Sequence, residues 1–300
     1  MVAPSDTGQG GRAMPENQNV ITSTSNRRIV EARKLSQRKH RQRQGRFMVE
    51  GLQILHMALD AGQVPAEAFY CEAAFTGTEA PYLLERLSDM QSAGGGPALH
   101  PVSEAVLDVL CQRQICQGLV AILATFETPI SALRLNGDRL VVILDRLRDP
   151  GNLGALIRVA DAVGAGGVVA LEPCADIFDP QVVRSSMGSL FNIPVIRTGD
   201  TRALFEHVRR AGLRAVAADP YVGTLWGTGL WDGGVALVLG NEAQGLSPDV
   251  RVEVESWARL PMVGKAESLN VAVAGGILMY SWLAANYHPN AAGNDQSDSS

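Results

Sequence analysis

"DPGNLGALIRVADAVGAGGVV" (residues 149–169) follows the apolar run "RLVVILDRL" (139–147), and together they read as a buried strand, a sharp turn and a helix. Such units often hold a nucleotide-like ligand at the turn. Neither G-x-G-x-x-G nor G-x-x-x-x-G-K-[ST] is present, which removes the main support for dinucleotide or P-loop chemistry. Leu153, Leu156, Ile157, Ala160 and Val163 recur at helical spacing and are expected to face a sheet. Pro150 and Gly151 make the turn, Asn152 is placed to cap the helix, and Gly154 permits close backbone approach. Arg158 falls on the other side, three residues before Asp161, so a surface ion pair is its simplest structural reading.

Further strand candidates follow at "GGVVAL", "IPVIRT", "RAVAAD", "VALVLG" and "WARLP", with helical segments between most of them. These runs are continuously apolar, as expected where helices cover both faces of a parallel sheet. The fold class is therefore α/β, with a doubly wound parallel sheet at residues 139–290. Upstream, "RFMVEG", "AEAFYCE", "ALHPVS" and "GLVAILATF" read as strands, with helical patterns near 52–61, 80–92 and 103–111. That alternation predicts a smaller α/β domain at 26–126, joined by a linker at 127–138. Residues 1–25 and 291–300 have the polar composition of disordered tails.

The 300 residues carry a net charge of −5, with 46% apolar residues and 5% aromatics. Charge is segregated. Nine Lys or Arg lie between Arg27 and Arg46 against one acid, Glu31, which leaves 17 basic and 30 acidic residues elsewhere. A basic block of this kind is an electrostatic footprint for phosphates, with Arg38, Lys39, Arg41, Arg43 and Arg46 as candidate RNA contacts. A solvated basic helix without a partner is the alternative. The four cysteines, Cys71, Cys111, Cys116 and Cys174, form no C-x-x-C, and no metal site is expected; buried free thiols in a reducing cytoplasm fit best. The first residues form no apolar h-region, so secretion is not expected. "LNVAVAGGILMYSWLAA" (269–285) begins after Ser268, a candidate cap, and fits a buried helix better than a membrane span.

Ligands of open α/β sheets sit at the carboxyl ends of strands, which singles out three loops. The first is "DPGN". The second, "LVLGNEAQGLSP", places Gly240, Asn241, Glu242 and Gly245 after a buried strand ending at Leu239. A turn explains the glycines, but explains the polar pair less well. The third, "RLPMVGKAESLNVAVAGG", breaks a strand at Leu260 with Pro261 and sets Asn270 in the first turn of an apolar helix. A hydrogen bond from Asn270 to a neighbouring loop is its structural reading.

Taken together, N-x-G-x-x-x-R (Asn152, Gly154, Arg158), L-G-N-E-x-x-G (Gly240, Asn241, Glu242, Gly245) and P-M-x-G-x-x-x-S-L-N-V (Pro261, Met262, Gly264, Ser268, Leu269, Asn270, Val271) resemble the three ordered motifs of the SpoU RNA ribose 2′-O-methyltransferases. "RKHRQRQGRFMVEG" is similar to the start of the L30e-like RNA-binding domain that many members carry. The resemblance covers roughly residues 28–288 and departs at Ala272, where many members have serine. It implies a SPOUT domain with a C-terminal trefoil knot, preceded by an L30e-like domain. It also implies S-adenosylmethionine held by Gly240, Leu260 and Leu269, with Leu239, Asn241 and Met262 beside them. Arg158, Asn152, Glu242, Ser268 and Asn270 take the catalytic positions, and a homodimer is implied, with the 269–285 helix in its interface. The expected substrate is large-subunit (23S) rRNA. "GKAESLN" further resembles the thiostrepton- and avilamycin-resistance branch of streptomycetes. The alternatives are a tRNA ribose 2′-O-methyltransferase, a catalytically silent RNA-binding relative and, least supported, a dinucleotide-dependent dehydrogenase.

Overall fold

A computed structural model describes residues 19–111, 117–135, 137–227 and 229–287. The chain begins with helices α1 (Arg27–Lys34) and α2 (Arg38–Gln44). Asn26 caps α1 by accepting from Arg28 N, and Gly45 ends α2 in the left-handed conformation (φ 61°) that glycine adopts without penalty. Then come β1 (Arg46–Glu50), α3 (Leu52–Asp60), β2 (Glu67–Tyr70), α4 (Glu79–Ser92), β3 (Ala98–Pro101), α5 (Glu104–Leu110) and β4 (Leu119–Ala124). The four strands form a mixed sheet in the order β1-β4-β2-β3.

Two expectations for this region need correction. Part of the supposed tail is held in place, because Ile21 bridges Val102 and donates to the Pro101 carbonyl at 2.9 Å. Residues 1–18 and 291–300 lie outside the described residues. Cys71 and Cys174 are buried free thiols, but Cys111, at the end of α5, is disulfide-bonded. Cys116 lies outside the described residues. The predicted linker contains a short 3-10 turn at Ile130–Ala132. It is tied to the second sheet by Leu133, which is buried, and by Arg134 N donating to the Gly166 carbonyl.

The second sheet is built from β5 (Leu140–Asp145), β6 (Val168–Leu171), β7 (Val195–Thr198), β8 (Arg214–Ala218), β9 (Thr224–Leu225), β10 (Val235–Leu239) and β11 (Ser256–Arg259). Its order is β7-β6-β5-β10-β8-β11-β9, and every pairing is parallel. The helices are α6 (Pro150–Ala162), α7 (Pro180–Ser185), α8 (Ser189–Asn192), α9 (Thr201–Arg210), α10 (Pro248–Arg251) and α11 (Val271–Asn286). Strands β5 and β10 are buried along their whole length. Leu140, Val142 and Leu144 join a core on one face, and Val141 and Ile143 join a second core on the other. Two covered faces explain the unbroken apolar runs.

The strand order reverses between β5 and β10. From β5 the chain moves outward to β6 and β7, then returns on the far side of β10. The crevice at such a switch point is where this architecture binds ligands. Leu144 and Leu239 are paired in register there, so the first and second loops leave the sheet side by side. No helix among the described residues is long and apolar enough to cross a membrane.

Candidate active site

Polar groups from the three loops meet at this crevice. Asn152 Nδ2 donates to Glu242 Oε1 at 2.8 Å, and Asn152 Oδ1 accepts from Asn270 Nδ2 at 3.0 Å. Three segments far apart in sequence are thus joined through one side-chain amide. Each is anchored behind this chain. Asp149 accepts from Asn152 N at 2.7 Å and is the true N-cap of α6, one turn earlier than the cap expected at Asn152. Asn152 has its backbone capped by Asp149, which leaves its amide for the loops. Asn270, not Ser268, caps α11: its Oδ1 accepts from Ala272 N and Val273 N at 2.9 and 3.3 Å. Asn270 therefore fixes a helix with its oxygen and Asn152 with its nitrogen.

The second loop is stiffened in the same manner. Asn241 Oδ1 accepts from Ala243 N and Gln244 N, and its Nδ2 donates to the Arg146 carbonyl at 3.1 Å. Arg146 sits at φ 57°, an unusual conformation for a non-glycine residue, immediately after β5. Buried Asp145 accepts from Ser247 N and holds the far end of the loop. Sequence reasoning did not single out Asp145 or Arg146. An acid ending the apolar run "LVVILD" was the available signal, since a buried carboxylate requires partners.

The cavity beside these groups has a volume of about 630 Å³. Leu239, Gly240, Asn241, Glu242, Leu260, Met262, Ser268, Leu269 and Asn270 all line it. Tyr221, Arg251 and Trp257 complete the wall without any sequence signal, with the Arg251 guanidinium 4.7 Å from the Trp257 ring centroid. Gly240 is also required by the packing of its own loop. A Cβ there would meet the Gly245 carbonyl carbon at 2.7 Å and Leu246 N at 2.9 Å, so the residue makes room for its own loop. Gly154 permits packing of helix on helix, because a Cβ would meet Ser185 Oγ at 1.9 Å and the Val182 carbonyl at 2.6 Å.

Arg158 is not on the cavity wall. It lies six residues beyond Asn152 on α6, about 9 Å along the axis and roughly 120° round it. The expected ion pair with Asp161 is absent. Asp161 accepts from Asn192 Nδ2 at 3.0 Å, and Arg158 is exposed with no ion-pair partner among the described residues.

The candidate RNA contacts divide. Arg38 and Lys39 are exposed and have no ion-pair partner among the described residues. Arg43 lies 3.6 Å from Glu31, and Arg46 pairs with Glu67 at 2.9 Å. A hydrogen bond from His100, with the charges of Arg46 and Arg28 beside it, holds the Glu67 carboxyl below its usual range. Arg41 is a correction: it is 1% exposed and pairs with Asp176 and Asp179, so it cannot reach a phosphate.

Comparison with known proteins agrees with this architecture. The SpoU rRNA methylase family model matches residues 139–280, and an MRM3-like substrate-binding domain model matches residues 26–121. The 23S rRNA (uridine(2479)-2′-O)-methyltransferase of Streptomyces viridochromogenes is 30% identical, over 82% of this chain and 85% of its own length. The 23S rRNA (guanosine(2553)-2′-O)-methyltransferase RlmP of Bacillus subtilis is 28% identical, over 87% of this chain and 97% of its own. The crystal structure of an AdoMet-bound rRNA methyltransferase from Sinorhizobium meliloti superimposes with a TM-score of 0.78 at 32% identity, covering 89% of this chain and 98% of that one. The chain belongs to the SpoU rRNA methylase family.

Proposed function

We propose that this protein methylates a ribose 2′-hydroxyl of 23S rRNA, with S-adenosylmethionine as donor. The observation that carries the reading is the Asn152–Glu242–Asn270 hydrogen-bond chain, which joins three loops at the switch point beside a cavity. The cavity fits the cofactor. Its volume lies within the roughly 300–1,000 Å³ of small-molecule sites, and it combines apolar walls (Leu239, Leu260, Leu278) with the polar groups of Asn241 and Glu242. Bound there, S-adenosylmethionine supplies an electrophilic methyl on a cationic sulfur. Gly240, Leu260 and Leu269 hold it, with Leu239, Asn241 and Met262 beside them.

The protein's own task is alignment and charge control. Asn152, Glu242, Ser268 and Asn270 orient the ribose for in-line attack, an arrangement that can supply about 7–11 kcal/mol when geometry is ideal. Arg158 is a poor base, as guanidinium groups are. Exposed, and with no ion-pair partner among the described residues, it is placed to clamp the adjacent RNA phosphate or to stabilise the developing alkoxide.

Other features follow from the same reading. Residues 26–126 form an L30e-like RNA-binding domain, 127–138 a linker, and 139–290 a SPOUT catalytic domain with a trefoil knot. The protein acts in the cytoplasm as a homodimer. Helix α11 supports the dimer by exposing Val273 (52%), Ile277 (36%) and Tyr280 (53%) along one stripe. A role in resistance to a ribosome-targeting antibiotic rests on "GKAESLN" alone and is read as growth in the drug.

Primer extension at low dNTP on total rRNA, with and without expression of this chain, tests the proposal. A new stop in 23S rRNA is expected. Methyl incorporation into tRNA alone would overturn the rRNA assignment.

A further inference from the structure

Two ion pairs with buried or mostly buried members cross from the four-stranded sheet region to α7 and the loop before it, and their polarities are opposite. Arg41, on α2, donates from Nε to Asp176 Oδ2 at 2.9 Å, and its Nη2 lies 2.8 Å from the same oxygen and 3.2 Å from Asp179 Oδ2. Its Nη1 donates to the Leu35 and Ser36 carbonyls, both at 3.0 Å, which fastens the end of α1 as well. In the reverse sense, Glu50, the last residue of β1, lies 3.7 Å from Arg184 Nη1 on α7. An aromatic cluster surrounds this joint. Phe47 of β1 packs on Phe178 with ring centroids 4.7 Å apart, and Phe126 meets Phe178 at 5.0 Å.

The far side of α7 is locked to the helix that carries Asn152 and Arg158. Gly154 of α6 has no room for a Cβ against Val182 and Ser185, and Gln181 Nε2 lies close to the position a Gly151 Cβ would occupy. Asp179 both pairs with Arg41 and caps α7 by accepting from Gln181 N at 3.0 Å. A mechanical path therefore runs from the basic helix, through Arg41 and α7, to the first motif.

Packed aromatic rings alone would hold the two regions together. Buried charges are costly to desolvate, and their best-attested return is a single register between elements. Only one sliding position of α7 satisfies a cation facing two carboxylates at one end and a carboxylate facing a cation at the other. We propose that Arg41 is a positioning residue: it keys the basic helix to α7 and so sets the distance between the RNA-gripping surface and the Asn152–Arg158 helix. The inference rests on the methylation reading above. It makes the choice of ribose depend on a residue that touches neither RNA nor cofactor.

Arg41→Lys tests it, because lysine keeps the charge and loses the planar fork that reaches two carboxylates and two carbonyls. The readouts are the map of 2′-O-methylated positions on 23S rRNA, kcat and KM for RNA, and affinity for S-adenosylmethionine. We expect kcat to fall by about tenfold or more, since a displacement of about 1 Å can cost about a hundredfold. We also expect methylation to spread to neighbouring riboses, with KM and cofactor affinity nearly unchanged. A folded Arg41→Lys protein that methylates the same single ribose at the wild-type rate overturns the proposal and leaves the methylation reading standing. Lower activity explained wholly by a smaller folded fraction, with the product map unchanged, overturns it too. If Arg41→Lys does not fold, Glu50→Gln carries the same test from the opposite pair, with the same overturning result. An unmodified protein without rRNA methylation overturns the parent reading, and the positioning role with it.

Discussion

The basic run at 27–46 and the apolar helix α6 hold their arginines in opposite ways. Within the run, Arg41 is surrounded in sequence by residues suited to RNA, yet it is buried against Asp176 and Asp179. On α6, Arg158 is the one cation in a largely apolar helix, yet it is exposed and has no ion-pair partner among the described residues. Sequence context predicts the reverse: RNA contact for the first and a surface ion pair for the second. Local composition shows where charge is concentrated. Which charge is consumed by the fold depends on carboxylates more than a hundred residues away.

The contrast can be broken most severely at the joint. Removing one member of a buried ion pair leaves the opposing charge uncompensated, at a cost of about 3–5 kcal/mol. Arg41→Ala should lower unfolding free energy by that amount in urea titration. Arg38→Ala, three residues earlier and exposed, should stay within about 0.5 kcal/mol of wild type. Equal effects at the two positions would show that Arg41 is not a structural key.

A smaller effect is expected between α6 and α7. Gly154→Ala forces a methyl group against Ser185 Oγ and the Val182 carbonyl. Overpacking of this kind costs about 1–3 kcal/mol, read as a lower Tm, and it should also slow methyl transfer by shifting Asn152. A Tm and rate equal to wild type would mean that the helices separate freely and transmit nothing to the first motif.

The mildest change lies on the exposed face of α2. Replacing Arg38 and Lys39 with alanine should leave stability and cofactor affinity intact while weakening RNA binding. If each cation neutralises one phosphate, the slope of log K against log salt should fall by about 1.4–1.8 in magnitude, at about 0.7–0.9 per contact. An unchanged slope would move the RNA path away from α2.

Much of the parallel sheet was legible because short unbroken apolar runs such as "LVVILD" and "VALVL", bounded by turn residues, match strands covered on both faces. The two-residue strand β9 was not, since Thr224 and Leu225 are exposed and gain their conformation by pairing with β11. At the site, Asn152, Glu242 and Asn270 were found from three ordered motifs, and the structure joins them by hydrogen bonds. The caps were misplaced by a few residues. Several polar residues near each helix start can serve as a cap, and tertiary contacts decide which one does. Arg251 at the end of α10 and Trp257 on β11 meet at the cavity wall, a placement that no local pattern encodes.

The central claim is that Arg158, which has no ion-pair partner among the described residues, acts on the reacting ribose and its phosphate. Single-turnover methylation of 23S rRNA by Arg158→Ala, with S-adenosylmethionine affinity measured by calorimetry on the same protein, tests it directly. The account predicts a loss of about a hundredfold or more in rate with cofactor affinity unchanged, as expected for a group that acts only in the transition state. A near wild-type rate from the folded variant would contradict it and return Arg158 to the role of a solvated surface charge.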